Sequence, residues 1–237
     1  MALEQANTSN RLLSRLPAED FALLADALEP IDLPMRMVLA EPLTPLSHLY
    51  FPDSGIGSVV ARSSEGFEAE AGVFGRDGFA PTALFLGSDQ TVHTLFMQVT
   101  GAGYRISSEA LQAACRSSPA LHRTLSLYVH TMGVQAGFTA LSNAVHPVIE
   151  RLARWLLMCH DRSIGDEMAL THDFLALMLA VRRPSVTTAL PSLEGSRFIQ
   201  AERGYITVRD RCGLEAFAAD AYGQPEAEYA RLLGPLR

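Results

Sequence analysis

The chain has no lysine: all 19 of its Lys/Arg positions are arginine. Coding bias is enough to produce that, so no function is built on it. Cysteine is scarce. Cys115, Cys159 and Cys212 stand far apart, which excludes the paired spacings of a zinc site and the framework of a disulfide-stapled domain. A reducing, cytoplasmic compartment is expected. Long apolar runs are also missing, and none approaches the roughly 20 residues needed to span a bilayer. The opening MALEQANTSNRLLSRL has no charged segment followed by an apolar one, so no secretory signal is expected.

Catalytic constellations are absent too. Histidines at 48, 93, 122, 130, 146, 160 and 172 never come closer than eight residues. That leaves no metal-spaced pair, and surface or capping positions are expected for them. Neither a glycine-rich phosphate loop after a strand nor a nucleophile elbow is present. The sequence therefore predicts a non-enzyme with no catalytic residues, no metal and no cofactor. Hydrophobic content of 48% with 19% charged residues describes an ordinary globular chain, and 237 residues suffice for two small domains.

What is present is concentrated between Leu170 and Val208. Thr171 is placed to cap a helix, and Phe174, Leu175, Met178 and Leu179 follow at helical spacing. A break at Ala180-Val181 precedes a second helix near Arg182-Arg183-Pro184, where a first-turn proline removes no hydrogen bond. Val186, Leu190 and Leu193 form its inner stripe, leaving Arg183, Thr187 and Thr188 outward. Such a face suits a DNA major groove. Strand-like Phe198-Ile199 and Tyr205 to Val208 flank Glu202-Arg203-Gly204, a hairpin with glycine at its turn. Six arginines (182, 183, 197, 203, 209, 211) and three acids (Glu194, Glu202, Asp210) leave this stretch at 6 − 3 = +3, in a chain whose net charge is −7. A basic patch on an acidic protein is the footprint of a small DNA-reading module. The alternative is a helical pair and hairpin that only pack.

Upstream, Arg11 to Leu28 reads as a helix broken by Pro17. Short β-like runs follow at Leu49 to Phe51, Ser58 to Ala61, Glu68 to Ala71, Val92 to Val99 and Tyr104 to Ile106, separated by glycine-rich turns. This predicts an antiparallel sandwich or barrel. From Pro119 to Ala144 apolar residues recur at helical spacing on two faces. Leu121, Leu125, Tyr128, Met132, Gln135 and Thr139 form one stripe; Leu127, Thr131, Val134, Phe138, Leu141 and Val145 form the other. A helix with two such faces can pack on its own domain and on a partner helix, or be buried singly. His146-Pro147 should end it, and Val148 to Cys159 predicts another helix.

This order of parts resembles the Crp/Fnr family of bacterial transcription regulators. The likeness spans nearly the whole chain. It rests on Asn10 to Leu13 with Leu16-Pro17, His48 to Pro52, Gly75 to Gly78 with Leu84 to Gly87, Glu150 to Leu157, and Leu170 to Ile199. It implies an α+β fold. Residues 1–116 would form an antiparallel, cyclic-nucleotide-binding-like β-roll of jelly-roll type, 117–145 a dimerisation helix and 146–237 a winged helix-turn-helix. It further implies a homodimer on double-stranded DNA, with RNA polymerase and an unidentified small-molecule effector as partners and no membrane. Thr171, His172, Arg182, Arg183, Ser185, Thr187, Thr188 and Arg203 would contact DNA, and Gly78, Phe79, Thr91 and His93 would surround the effector.

The departures are informative. Cyclic-nucleotide-binding members follow the cassette glycine with glutamate, but here Gly78 precedes Phe79. No arginine occurs between Arg76 and Arg105 to clamp a phosphate, so cyclic AMP or cyclic GMP would be poorly served. The cysteine cluster of iron–sulfur members is missing. In the recognition helix the family's Arg-Glu-x-x-x-Arg becomes Arg183, Pro184 and Thr188, so a different operator is expected. Pro191 removes a helical hydrogen bond, a cost of about 3 kcal/mol in a helix interior. These changes keep a second function open: a ligand-binding dimeric scaffold with a degenerate DNA-binding domain.

Overall fold

The computed structural model describes residues 3–237, the side chain of Asp173 apart. Two short helices open it, α1 (Arg11–Ser14) and α2 (Ala18–Ala25), divided at Pro17. Fully buried Asn10 caps α1, accepting from Leu12 N and Leu13 N at 3.1 Å each. Its amide donates to the carbonyls of Pro52 and Gly78, both at 2.8 Å. One asparagine thus pins the first helix to two loops of the β-domain.

That domain holds β1 (Glu29–Leu33), β2 (Val38–Ala40), β3 (His48–Pro52), β4 (Ile56–Arg62) and β5 (Glu68–Phe74). Helix α3 (Thr82–Phe85) precedes β6 (Thr94–Val99) and β7 (Gly101–Ser107). They form two antiparallel sheets, ordered β1-β7-β3 and β2-β6-β4-β5. Alternation along the strands fills the space between them with Leu33, Leu39, Phe74, Leu95 and Met97. The sandwich read from the turn spacing is present. Strand β1 has no signal in the sequence, because Glu29, Pro30 and Asp32 interrupt any apolar alternation, and β2 is only three residues long.

Helix α4 (Ser108–Ser117) leads into α5 (Pro119–Val145), whose first turn starts on proline and is capped by Ser118. Its 27 residues span roughly 40 Å. Leu121, Leu125, Tyr128, Thr131, Gln135, Thr139 and Ser142 are buried. Thr131, read as part of the Leu127–Val145 stripe, is buried with the other stripe, and its hydroxyl donates to the Tyr128 carbonyl at 2.7 Å. Gln135 accepts from Val73 N at 2.7 Å and donates back to Val73 O at 3.2 Å. This closes a gap on β5 that would otherwise hold unpaired backbone.

The C-terminal unit comprises α6 (Val148–Arg162), β8 (Glu167–Met168), α7 (His172–Met178) and α8 (Arg183–Gly195). Then come β9 (Ile199–Glu202), β10 (Tyr205–Val208), α9 (Arg211–Ala218) and α10 (Gln224–Leu233). The hairpin gains a third strand, in the order β8-β10-β9. Its core is continuous with the β-domain: Ile56, Val60 and Val73 join Trp155, Leu156, Leu175, Val186 and Leu193 in one apolar cluster. The tail crosses back. Tyr229 OH donates to the Asp77 carbonyl at 2.6 Å, Arg15 donates to the carbonyls of Leu233 and Pro235, and Arg237 pairs with Asp166 at 2.7 Å.

Candidate nucleic-acid interface and effector cavity

Helix α7 begins at Thr171, whose hydroxyl accepts from Phe174 N at 3.4 Å. Ala180, at φ 49°, turns the chain, and Val181 N donates to Ala176 O at 3.0 Å. Arg182 then stands at the N-cap of α8 and Pro184 in its first turn. Val186, Ala189, Leu190 and Leu193 bury one side of α8 against the core. Arg183, Pro184, Thr187, Thr188, Pro191 and Ser192 lie on the exposed side, and Ser185 is half-buried at its edge. The helix runs through Pro191 without ending there.

The β9–β10 hairpin stands beside this helix. Glu194 of α8 accepts from Ala201 N at 3.0 Å, fixing the two together. Gly204, at φ 83°, makes the turn that exposes Arg203. Arg182, Arg183, Arg197 and Arg209 are also exposed, with Arg209 donating to Gln200. The sixth arginine of the basic stretch is directed elsewhere. Arg211 pairs with Asp161 at 2.7 Å and Glu215 at 2.8 Å, so the outward patch carries one charge fewer than the sequence count.

Arg211 belongs to a polar network behind the helices that no spacing in the sequence announces. His160 is 2% exposed, with Nε2 at 2.9 Å from Asp166 and Nδ1 at 3.0 Å from Arg211. Arginine can only donate, so Nδ1 accepts and Nε2–H donates to Asp166. Burial holds this imidazole below its ordinary pKa. The expectation that every histidine lies at the surface or on a cap fails here, because the exposed Asp166 carboxylate and the half-buried Arg211 satisfy both ring nitrogens of a buried imidazole.

A second network seals the seam between the β-domain and α6. Asp77 and Arg162, both almost fully buried, pair at 2.7 Å. Glu70, 4% exposed, accepts from Ser58 Oγ at 2.6 Å and from Trp155 Nε1 at 2.9 Å. Gln98 Nε2 contacts the same carboxylate at 3.3 Å, and Met178 of α7 touches Ser58 and Gln98. Burial pushes Glu70 up to about 7, against the pull of the Ser58 and Trp155 hydrogen bonds and the nearby charge of Arg154. In the sequence this residue sits in the Glu-Ala-Glu-Ala run read only as a short strand.

Gly78, Phe79, Thr91 and His93 do not meet around one space. Phe79 is fully buried among Phe51, Phe85 and Tyr128, with ring centroids 5.3, 5.7 and 5.0 Å away. Gly78 packs flush on Tyr128 of α5, where a Cβ would fall 2.0 Å from ring atoms. Thr91 and His93 line a cavity of about 220 Å³ with Val59, Pro81, Thr82, Ala83, Leu86, Leu95 and Met132. None of those lining residues is arginine or lysine. Met132 brings α5 to the cavity wall. Cys115 and Cys159 are poor nucleophiles: burial pushes the first thiol up to about 11 and the second well above the ordinary range.

A two-sheet β-domain, a long helix and a three-stranded winged helix-turn-helix define a class of architecture: a β-roll joined by a helix to a winged helix-turn-helix. Residues 150–217 match the family described as the Crp-like helix-turn-helix domain. This unit is a Crp-like helix-turn-helix domain, and the whole chain has the fold of Crp/Fnr transcription regulators. One similar structure is a regulator of that family from Eubacterium rectale, at 18% identity, TM-score 0.64, and coverage of 87% of this chain and 97% of that one. Another is the c-di-GMP-responsive regulator CLP of Xanthomonas campestris, at 21% identity, TM-score 0.63, and coverage of 81% and 99%. A third, FixK2 of Bradyrhizobium japonicum, shares 15% identity with a TM-score of 0.69 over 81% and 98%. No curated protein matches the sequence.

Proposed function

We propose that this protein is a sequence-specific, homodimeric DNA-binding transcription regulator of the Crp/Fnr type, responsive to a ligand other than cyclic AMP. The observation that carries this is α8. It buries one apolar stripe and exposes Arg183, Thr187 and Thr188 beside an arginine-tipped wing, within a Crp-like helix-turn-helix domain. In this reading Arg183 contacts a base edge, with Thr187 and Thr188 beside it. Arg182, Ser185, Thr171 and His172 hold phosphates, and Arg203 touches the adjoining backbone. Residues 1–116 sense, 117–145 dimerise and 146–237 read DNA. RNA polymerase is the partner through which such a regulator would act, in the cytoplasm.

The cavity beside Thr91 and His93 is the effector site in this reading. Gly78 and Phe79 form the packed floor behind it, not its contact surface. A wall with no arginine or lysine suits a small, weakly charged ligand and penalises a cyclic phosphate. The absence of arginine at position 188 favours the second reading, a dimeric ligand-binding scaffold. Salt-dependent retention on DNA separates the two.

The test is operator selection from random duplexes, followed by binding to single-base variants at several salt concentrations. Arg183→Ala should lose roughly 1–3 kcal/mol of discrimination at one base pair per half-site. Arg203→Ala should weaken all sequences alike and flatten the salt dependence. Unchanged ranking and spacing of affinities in Arg183→Ala would remove α8 from the role of reader.

A further inference from the structure

Beyond Arg183 in its first turn, the outward side of α8 is unusual for a helix expected to read bases, because its side chains offer few hydrogen-bond donors. At about 100° per residue, the direction opposite the buried Val186, Ala189, Leu190 and Leu193 falls on Pro184, Thr188 and Pro191, with Thr187 alongside. All four are exposed. The threonine hydroxyls are turned to the helix itself. Thr187 Oγ1 donates to Arg183 O at 3.2 Å and Thr188 Oγ1 to Pro184 O at 3.0 Å. Ser192 Oγ, next along, donates to Thr188 O at 3.5 Å. With those protons engaged, the face offers two pyrrolidine rings and two threonine methyls.

Pro184 and Pro191 are two turns apart, roughly 10 Å along the axis, or about three base-pair steps at 3.4 Å each. In the major groove one base edge alone carries an apolar group, the C5-methyl of thymine. We infer that Pro184, Thr187, Thr188 and Pro191 form an apolar reading surface selecting thymine at base pairs beside the Arg183 contact. This rests on α8 being the recognition helix. It gives Pro191 a use that offsets its cost to the helix: a rigid ring reaches the groove with no side-chain entropy to lose. Alanine there would keep the helix and lose the contact.

Deoxyuridine deletes only the thymine methyl and keeps every hydrogen-bonding atom, so it isolates the claim. The full-length protein is measured on its selected operator with each thymine replaced in turn. Two or three positions per half-site should weaken, each about fourfold, the value of one buried methyl group. Thr188→Ser, which removes the protein methyl and keeps the hydroxyl, should abolish the thymine–deoxyuridine difference at one position. Thr188→Val should retain it, and Pro191→Ala should abolish it at another. Specific binding that is indifferent to deoxyuridine everywhere overturns this inference and leaves the regulator reading standing. No preferred sequence at any salt concentration overturns the reading of α8 itself, and this inference with it.

Discussion

Glu70 shows how much a single buried carboxyl can govern. It sits where β4, β5, β6, α6 and α7 converge, and its partners Ser58, Gln98 and Trp155 come from both halves of the chain. Its pKa is about 7 in the folded state against 4.5 for the free side chain. Between those values the folded chain keeps a proton that the unfolded chain has released. Stability therefore falls as pH rises through this window, and the loss is complete above about 7. The full effect is on the order of 3 kcal/mol. Glu70→Gln keeps an acceptor for Trp155 and removes the titration. Urea unfolding at pH 5 and pH 8 should show the variant gaining on the wild type by about 1–3 kcal/mol at the higher pH. A difference that does not change with pH would mean Glu70 ionises freely in the fold.

Among the elements, α10 has the least obvious role from sequence and the clearest one in the fold. It lies across α5, and residues 229–237 touch the cassette turn, the first helices and α6. The helix has Pro225 in its first turn and Gly234 after its last. No local signal announces its destination, since Tyr229 reaches Asp77, 152 residues away. Tyr229→Phe removes that hydroxyl and leaves the Asp77 carbonyl buried without this donor. A loss of roughly 1–3 kcal/mol in unfolding free energy is expected. An unchanged denaturation midpoint would mean water replaces the hydroxyl at no cost.

At the scale of the whole molecule, α5 leaves one apolar face incompletely covered by its own chain. Leu127, Val134 and Phe138 are half-buried while Leu141 and Val145 are exposed. A Cβ built on Gly133 or Gly137 meets nothing within 4 Å, so a second helix can approach there closely. Two copies joined along this face would present two α8 helices to half-sites about one helical turn apart. Sedimentation of the wild type at micromolar concentration should give a dimer, and Leu141→Glu should give a monomer with a near-native circular dichroism spectrum. A wild-type monomer, or a variant that still dimerises, would place the two-fold contact elsewhere or remove it.

The sequence by itself determined the local parts. Thr171 marks a helix start because a capping side chain acts on amides two or three residues away. The period of apolar residues marks which face of α8 turns inward, because burial follows the helical repeat. Arg182, Arg183 and Arg203 were legible as an outward basic set for the same reason. Tertiary structure alone decided the rest. Only packing shows that Phe79 fills the β-roll against Tyr128 while Thr91 and His93 line the open space. Only packing turns Arg211 inward to Asp161 and buries Glu70 under Trp155. These outcomes depend on partners 49 to 85 residues distant, and no local periodicity encodes which distant side chain closes over a given position.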